Sequence, residues 1–517
     1  MHSILKIAVA ALAAMALSFG AQAKTLKLAY DADPVSMDPH EQLSGGMLQY
    51  SHMVFDPLVR WSRSMDFEPR LAESWQRLDE NTVRFKLRQG VKFHSGNTLT
   101  AKDVAFTYNR LNESPDFKGL FQPFKELKVI DDYSFDLVTK EPYPLVLHMA
   151  TYIFPMDSAF YSGTDKNGNP KAMLKKHGDT FASTNASGTG PFTIASRQQG
   201  VRVDFKRFAG YWDKNSPGNV QNIVLTPIKE APTRVAALLS GDVDFIAPVP
   251  PTDLQRIDRS PNADLITMSG TRIITFQLNQ ERVPQFKDKR VRQAIVHAIN
   301  NEGIVQKIMR GFGTAAAQQS PAGYVGHVPS LKPRYDLNKA RELMKEAGYA
   351  DGFAVTMMAP NNRYVNDAKI AEAVAGMLAK IKIKVDLSTM PKAQYWPKFD
   401  ERAADIMMIG WHSDTEDSSN FTEFLAMCPD AETGYGQYNS GNYCNKEVDA
   451  MILASQGETD EAKRKQILQD VERALYEDAA FVPLHWQDLA WAAKKGVNAE
   501  RILNVMNFPY LGDLDID

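Results

Sequence analysis

Alternation of apolar and polar positions is the first order visible along this chain. In "TVRFKLR" (82–88), Val83, Phe85 and Leu87 alternate with charged neighbours, which predicts a strand with one buried face. "KTLKLAYDADP" (24–34) alternates in the same way and is stopped by Asp-Pro. "FKELKVIDDYSFDLVTK" (124–140) reads as two strands around an Asp-Asp turn. Helical spacing enters at Thr100, an N-cap residue with Asp103 three positions on. This is a capping box with Asp in place of Glu, and it predicts a helix to Leu111. Strands over 191–196 and 201–207, joined by a glycine-containing turn, suggest a hairpin. "APTRVAALLSGDVDFI" (231–246) is helix, glycine stop and strand.

The pattern changes after residue 270. "TRIITFQLNQ" is a strand, "DKRVRQAIVHAINNEGIVQKIMRGFG" (288–313) an amphipathic helix pair, and 335–353 a helix with Asp336 as N-cap and Gly348 as C-cap. Strand "FAVTMMAP", helix "VNDAKIAEAVAGMLAKI", strand "KIKVDLSTM" and strand "ADIMMIGW" follow with short links. That order predicts a βαβ unit and a partly parallel sheet. "KQILQDVERALYEDAAFVPLHW" (465–486) closes the block with a helix and a buried strand. "DIMMIG" is nearly continuous in apolar residues, as in a strand buried on both faces. Directly after it comes "GWHSDTEDSSNF" (410–421), with an indole, an imidazole, three carboxylates after them and no lysine or arginine. Ligands in open α/β sheets sit just beyond the carboxyl ends of such strands. The segment therefore reads either as a solvated acidic turn or as a cation site with an apolar wall.

Composition narrows the class. "MHSILKIAVAALAAMALSFGAQAKT" has a short head with Lys6, an apolar stretch to about Phe19 and Ala21-Gln22-Ala23, the pattern of signal-peptidase cleavage after residue 23. With no cysteine near that point to lipidate, a soluble exported chain is expected, free in the periplasm. Removing 23 of 517 residues leaves 494, too many for one core, so two or three domains are expected. The formal net charge of -3, with signs interspersed, gives no basic face for nucleic acid. Cys428 and Cys444 fit a disulfide better than a metal site in an oxidising compartment. HExxH, GxSxG, P-loop and EF-hand patterns are absent. "GFGTAA" (311–316) follows a helix rather than a strand and reads as a flexible loop, not a dinucleotide site, and "DKNGN" (165–169) as a turn. His52, His94 and His412 stand alone and read as structural.

The string "LAESWQRLDENTVRFKLRQGVKFHSGNTLTAKDVAFTYNRL" (71–111) resembles the signature region of the large periplasmic solute-binding proteins of ABC importers, the oligopeptide-, dipeptide- and nickel-binding family. "SMDPH" (36–40), "SGTGPFTI" (187–194), "ALLSGDVDFI" (237–246), "DKRVRQAIVHAIN" (288–300), 335–353 and "GWHSDTEDSSNF" occur in family order. The resemblance implies an α/β, three-domain periplasmic-binding-protein fold. Domain I would comprise 24–58, 187–268 and 485–517; domain II, the extra α+β domain, 59–186; and domain III 269–484. Ligand would be buried between domains I and III by hinge closure. The resemblance also implies binding without catalysis, no cofactor, a monomer, and a permease and ATPase on separate chains. It places Asp417 at the position that pairs with a peptide's α-ammonium group, with Asp414 close by and Trp411 as an apolar or cation–π face. Ser44, Gly45 and Gly46 match an early pocket loop, and Arg363, beside Tyr364, matches the stretch that carries an arginine for a peptide carboxylate. The ligand expected is a peptide or another amine-bearing small solute. Two alternatives are a metal chelate or nickel, for which His412 speaks, and a secreted hydrolase. A histidine cluster and a nucleophile–base motif are both absent.

Overall fold

The computed structural model describes residues 23–413, 415 and 417–517, so the leader up to residue 22, and Asp414, lie outside the described residues. Among the described residues no helix is long and apolar enough to cross a membrane. One 11-stranded sheet runs through the molecule. At one end Phe353–Pro360 lies parallel to Ile383–Met390, with helix Asp367–Ala379 between them in sequence, the expected βαβ unit. Ile406–Trp411 comes next, every residue buried, and runs antiparallel to Ala263–Leu278. At the other end Thr25–Tyr30 sits parallel to both Asn222–Leu225 and Phe245–Ala247. The hairpin Phe192–Gln198 and Arg202–Arg207 forms that edge.

Two long antiparallel strands, Ala263–Leu278 and Val482–Lys494, join the ends. Both exceed the lengths read from sequence, because only their second and first halves, respectively, carry the dense apolar run that announced them. Their pairing shifts register between Met268 and Arg272. Gly270 sits in that shift, and a Cβ there would lie 1.9 Å from the Gln487 carbonyl oxygen. Ile274, Phe276 and Leu484 belong to one core, with Met357 and Ile370. Ala263, Ala490 and Ala492 belong to another, with Val235 and Ile246. The two strands therefore pass from one core to the other. Thr314–Ala315, in the stretch read as a flexible loop, pairs with the second of them, so "GFGTAA" is a strand addition.

A separate four-stranded antiparallel sheet holds Ala72–Asp79, Thr82–Leu87, Ser134–Thr139 and Phe124–Asp131 in that order. Helix Ala101–Glu113 starts at the expected capping box, with the Thr100 N–H donating to Asp103 Oδ2 at 2.8 Å. One turn before its end, Arg110 turns its guanidinium onto Asp38 of "SMDPH", donating to its two carboxylate oxygens at 3.1 and 2.7 Å. Both side chains are almost fully buried. Cys428 and Cys444 are joined as a disulfide. His52 is enclosed by Phe154, Phe508 and Tyr510, and burial pushes its pKa down to about 3, so it is a neutral core ring.

Glu472 is 1 % exposed and accepts the N–H groups of Gln319 and Ser320. Burial pushes its pKa up to about 7, from the ordinary glutamate value of 4.5 in the unfolded chain. A raised acid pKa contributes stability that is full below pH 4.5 and is lost as pH rises through about 7. Glu472→Gln removes that dependence. Relative to the parent, the variant gains on the order of 2 kcal/mol between pH 5 and pH 8. Thermal unfolding of both proteins at the two pH values checks it, and a constant difference in midpoint would refute it.

Candidate functional site

Helix Gly45–Val54 begins after Ser44, whose side chain makes no capping hydrogen bond. Its first residue, Gly45, lies beside Arg272 and His412, the latter just past the end of Ile406–Trp411. Between these two elements lies a cavity. Its walls come from three stretches: Gln42–Leu48 on one side, Asp116, Tyr152 and Lys176 on a second, and side chains between Arg272 and Tyr438 on the third. This is the placement expected for a ligand at the end of a buried strand.

Arg272 leaves the long strand at the end of the register shift and reaches across to the helix. Its Nη2 comes within 3.1 Å of where a Gly45 Cβ would be, so only glycine leaves that approach free. The residue is 9 % exposed, and among the described residues its one hydrogen bond is a long one, 3.4 Å, to the Gly410 carbonyl. Burial first, and then the charge of Arg363, pull its pKa down to about 9. A guanidinium at about 9 is still charged at neutral pH. Arg363 follows strand Phe353–Pro360, and its guanidinium lies over the Tyr364 ring at 5.1 Å from the centroid. Its Nε is buried with no hydrogen-bond partner. Among the described residues neither arginine has a carboxylate within salt-bridge distance. His412 also lines the cavity; burial, then Arg272 and Arg363, hold its pKa well below the usual imidazole range.

The lining carboxylate is Asp116, and it is fully engaged. Lys176 pairs with it at 2.9 Å, and Tyr438 Oη, Gln437 Nε2 and the Leu43 N–H all donate to it. Lys176 and His177 also reach Asp400 at 2.9 Å, so these contacts join the three walls.

The expected site residues separate into groups. Ser44, Gly45, Arg363 and Trp411 line the cavity together. Trp411 donates from Nε1 to Asn420 and stacks on Phe424, so its ring is fixed in place. Gly46 lines the adjoining cleft, about 500 Å³, which shares Ser44 and Arg363 with the cavity. Tyr364 is not in the wall: its ring lies under Gly410, to whose carbonyl it donates at 3.3 Å. Asp417 requires a correction as well. One carboxylate oxygen accepts from Thr415 and from the Ser419 hydroxyl and N–H, and the other pairs with Arg464 at 2.8 Å. It is 1 % exposed and outside the cavity lining. The carboxylate is spent on the fold because Arg464, far along the chain, is buried beside it. Arg272 was missed. Its signal was a charged residue inside the apolar run "TRIITFQLNQ", at the head of a strand rather than on an alternating polar face.

Comparisons with known proteins give the same frame. The family model of bacterial extracellular solute-binding proteins, family 5 Middle, matches residues 66–432. The di/tripeptide-binding protein 1 of Pseudomonas aeruginosa is 28 % identical over 508 residues, covering 93 % of this chain and 92 % of that protein. A dipeptide-binding protein of Pseudoalteromonas sp. SM9913, solved with Met-Leu, superposes with TM-score 0.86 at 24 % identity, covering 96 % of this chain and all of that one. AgaA of A. tumefaciens R10, solved with agropinic acid, gives TM-score 0.85 at 24 % identity over 95 % and 99 % of the two chains.

Proposed function

The chain belongs to the bacterial extracellular solute-binding proteins of family 5, and on that premise we propose that it captures a peptide or a similar amine-bearing small solute in the periplasm and hands it to a separate ABC permease. The observation that carries this reading is the cavity walled by three stretches of chain, with Arg363 in its lining and, among the described residues, no carboxylate within salt-bridge distance of it. The names of its relatives, a di/tripeptide carrier and a dipeptide carrier among them, support the same ligand class. The work of the protein is then capture without covalent change. Domains I (24–58, 187–268, 485–517) and III (269–484) would close on the ligand, with domain II (59–186) packed beside them. Arg363 would hold an anionic end and Trp411 an apolar part.

The test is to purify the protein from periplasm and read, by native and then denaturing mass spectrometry, the mass it releases. A peptide or amino-acid derivative is expected. A metal chelate would favour the nickel-type reading, and a neutral sugar would overturn both. With the released ligand in hand, Arg363→Ala weakens binding by roughly ten-fold or more, since a hydrogen bond to a charged group contributes about 1.5–3 kcal/mol. Calorimetry reads this, and unchanged affinity would remove Arg363 from the site.

A further inference from the structure

Two arginines, Arg272 and Arg363, line the cavity, whereas a zwitterionic ligand brings one carboxylate. They are close enough that the charge of Arg363 lowers the pKa of Arg272 and both lower that of His412, and neither meets a carboxylate among the described residues. Arg272 is buried, and apart from the long contact to the Gly410 carbonyl its donors have no hydrogen-bond partner among the described residues. The N-terminal turn of the ten-residue helix Gly45–Val54 faces the same space and adds a partial positive charge. Asp116 cannot neutralise this group, because Lys176 and three hydrogen-bond donors already hold it. Arg272, buried with no carboxylate partner among the described residues, is stabilised when an anion arrives, and its planar fork suits a carboxylate best.

We infer that the ligand carries two carboxylates, one for Arg363 and a second for Arg272 and the helix Gly45–Val54, so that the natural solute is an acidic peptide or an acidic amino-acid derivative. This deepens the proposed function and rests on this cavity being the ligand site. Arg272 sets specificity in it: a ligand with one carboxylate leaves a guanidinium buried and unanswered, whereas a second carboxylate turns that liability into attraction.

The experiment uses the full mature protein, stripped of bound solute by unfolding and refolding, and calorimetry with Ala-Glu, Ala-Gln and free glutamate as probes. Ala-Glu and Ala-Gln differ by one carboxylate at nearly constant shape. Ala-Glu is expected to bind at least ten-fold tighter than Ala-Gln, and Arg272→Gln to shrink that ratio below three-fold. Equal affinities for the two peptides would overturn the inference while leaving the peptide reading standing. Binding of glutamate with neither peptide bound would remove the peptide reading and keep the two-carboxylate site. No binding of any of the three would overturn both. Should Arg272→Gln fail to fold, the ratio measured on the parent protein still decides, and Arg272→Lys, which keeps the charge but loses the fork, is expected to leave an intermediate ratio.

Discussion

Asp417→Asn lowers the unfolding free energy by about 3–5 kcal/mol, because it leaves the Arg464 guanidinium buried without its carboxylate. The two side chains are 2 % and 9 % exposed, so water cannot replace the lost partner. Asparagine still accepts from Ser419 through its oxygen, which confines the loss to the ion pair. Urea unfolding is the measurement, followed by the fluorescence of the buried tryptophans, with the first transition compared between parent and variant. A shift worth less than 1 kcal/mol would return Asp417 to the list of candidate ligand contacts, since a carboxylate that the fold does not need would be free for another use. Replacing Arg464 as well by methionine is expected to recover much of the loss, as removing both members of a buried pair is far less costly than removing one.

Asp38→Ala has the same physics at a different junction. Arg110 is 3 % exposed on its side chain and points both terminal nitrogens at Asp38. Without the carboxylate it keeps, among the described residues, only the Ala172 carbonyl, the His40 ring and the Met156 sulfur. A loss of about 3–5 kcal/mol follows. Its consequence is local first, because Asp38 belongs to the segment leading into helix Gly45–Val54, whereas Arg110 belongs to the helix on the four-stranded sheet. Hydrogen exchange of residues 36–54 is therefore expected to quicken before that of the sheet. Uniform exchange across both would show that the pair fastens nothing in particular. Asp38→Ala combined with Arg110→Met serves as the compensated control.

What could be read from the sequence and what could not separate along a physical line. Thr100 with Asp103, Asp336 before its helix, and the βαβ order after residue 353 were legible, because each rests on residues within one turn or on the period of one element. The resemblance supplied the order of the whole chain and put Ser44, Gly45, Arg363 and Trp411 near one another, as the cavity has them. Asp417 was misassigned because its partner, Arg464, sits on a helix that nothing in the local sequence connects to it. Tyr364 was placed one residue too generously: it follows Arg363 in sequence, and neighbours in an extended turn face opposite ways, so one reaches the cavity and the other the underside of Gly410. Arg272 was invisible for a related reason. A lone arginine at the head of an apolar strand looks like an edge residue until the register shift at Gly270 turns it inward.

The two strands that pass between the cores, Ala263–Leu278 and Val482–Lys494, have a mechanical consequence. Paired by hydrogen bonds along their length, they form a ribbon, not a tether. A ribbon bends and twists more readily than it stretches or slips sideways in its own plane. A displacement of Arg272, which lies at the end of the register shift beside Gly270, is carried along both strands and so reaches the two cores together.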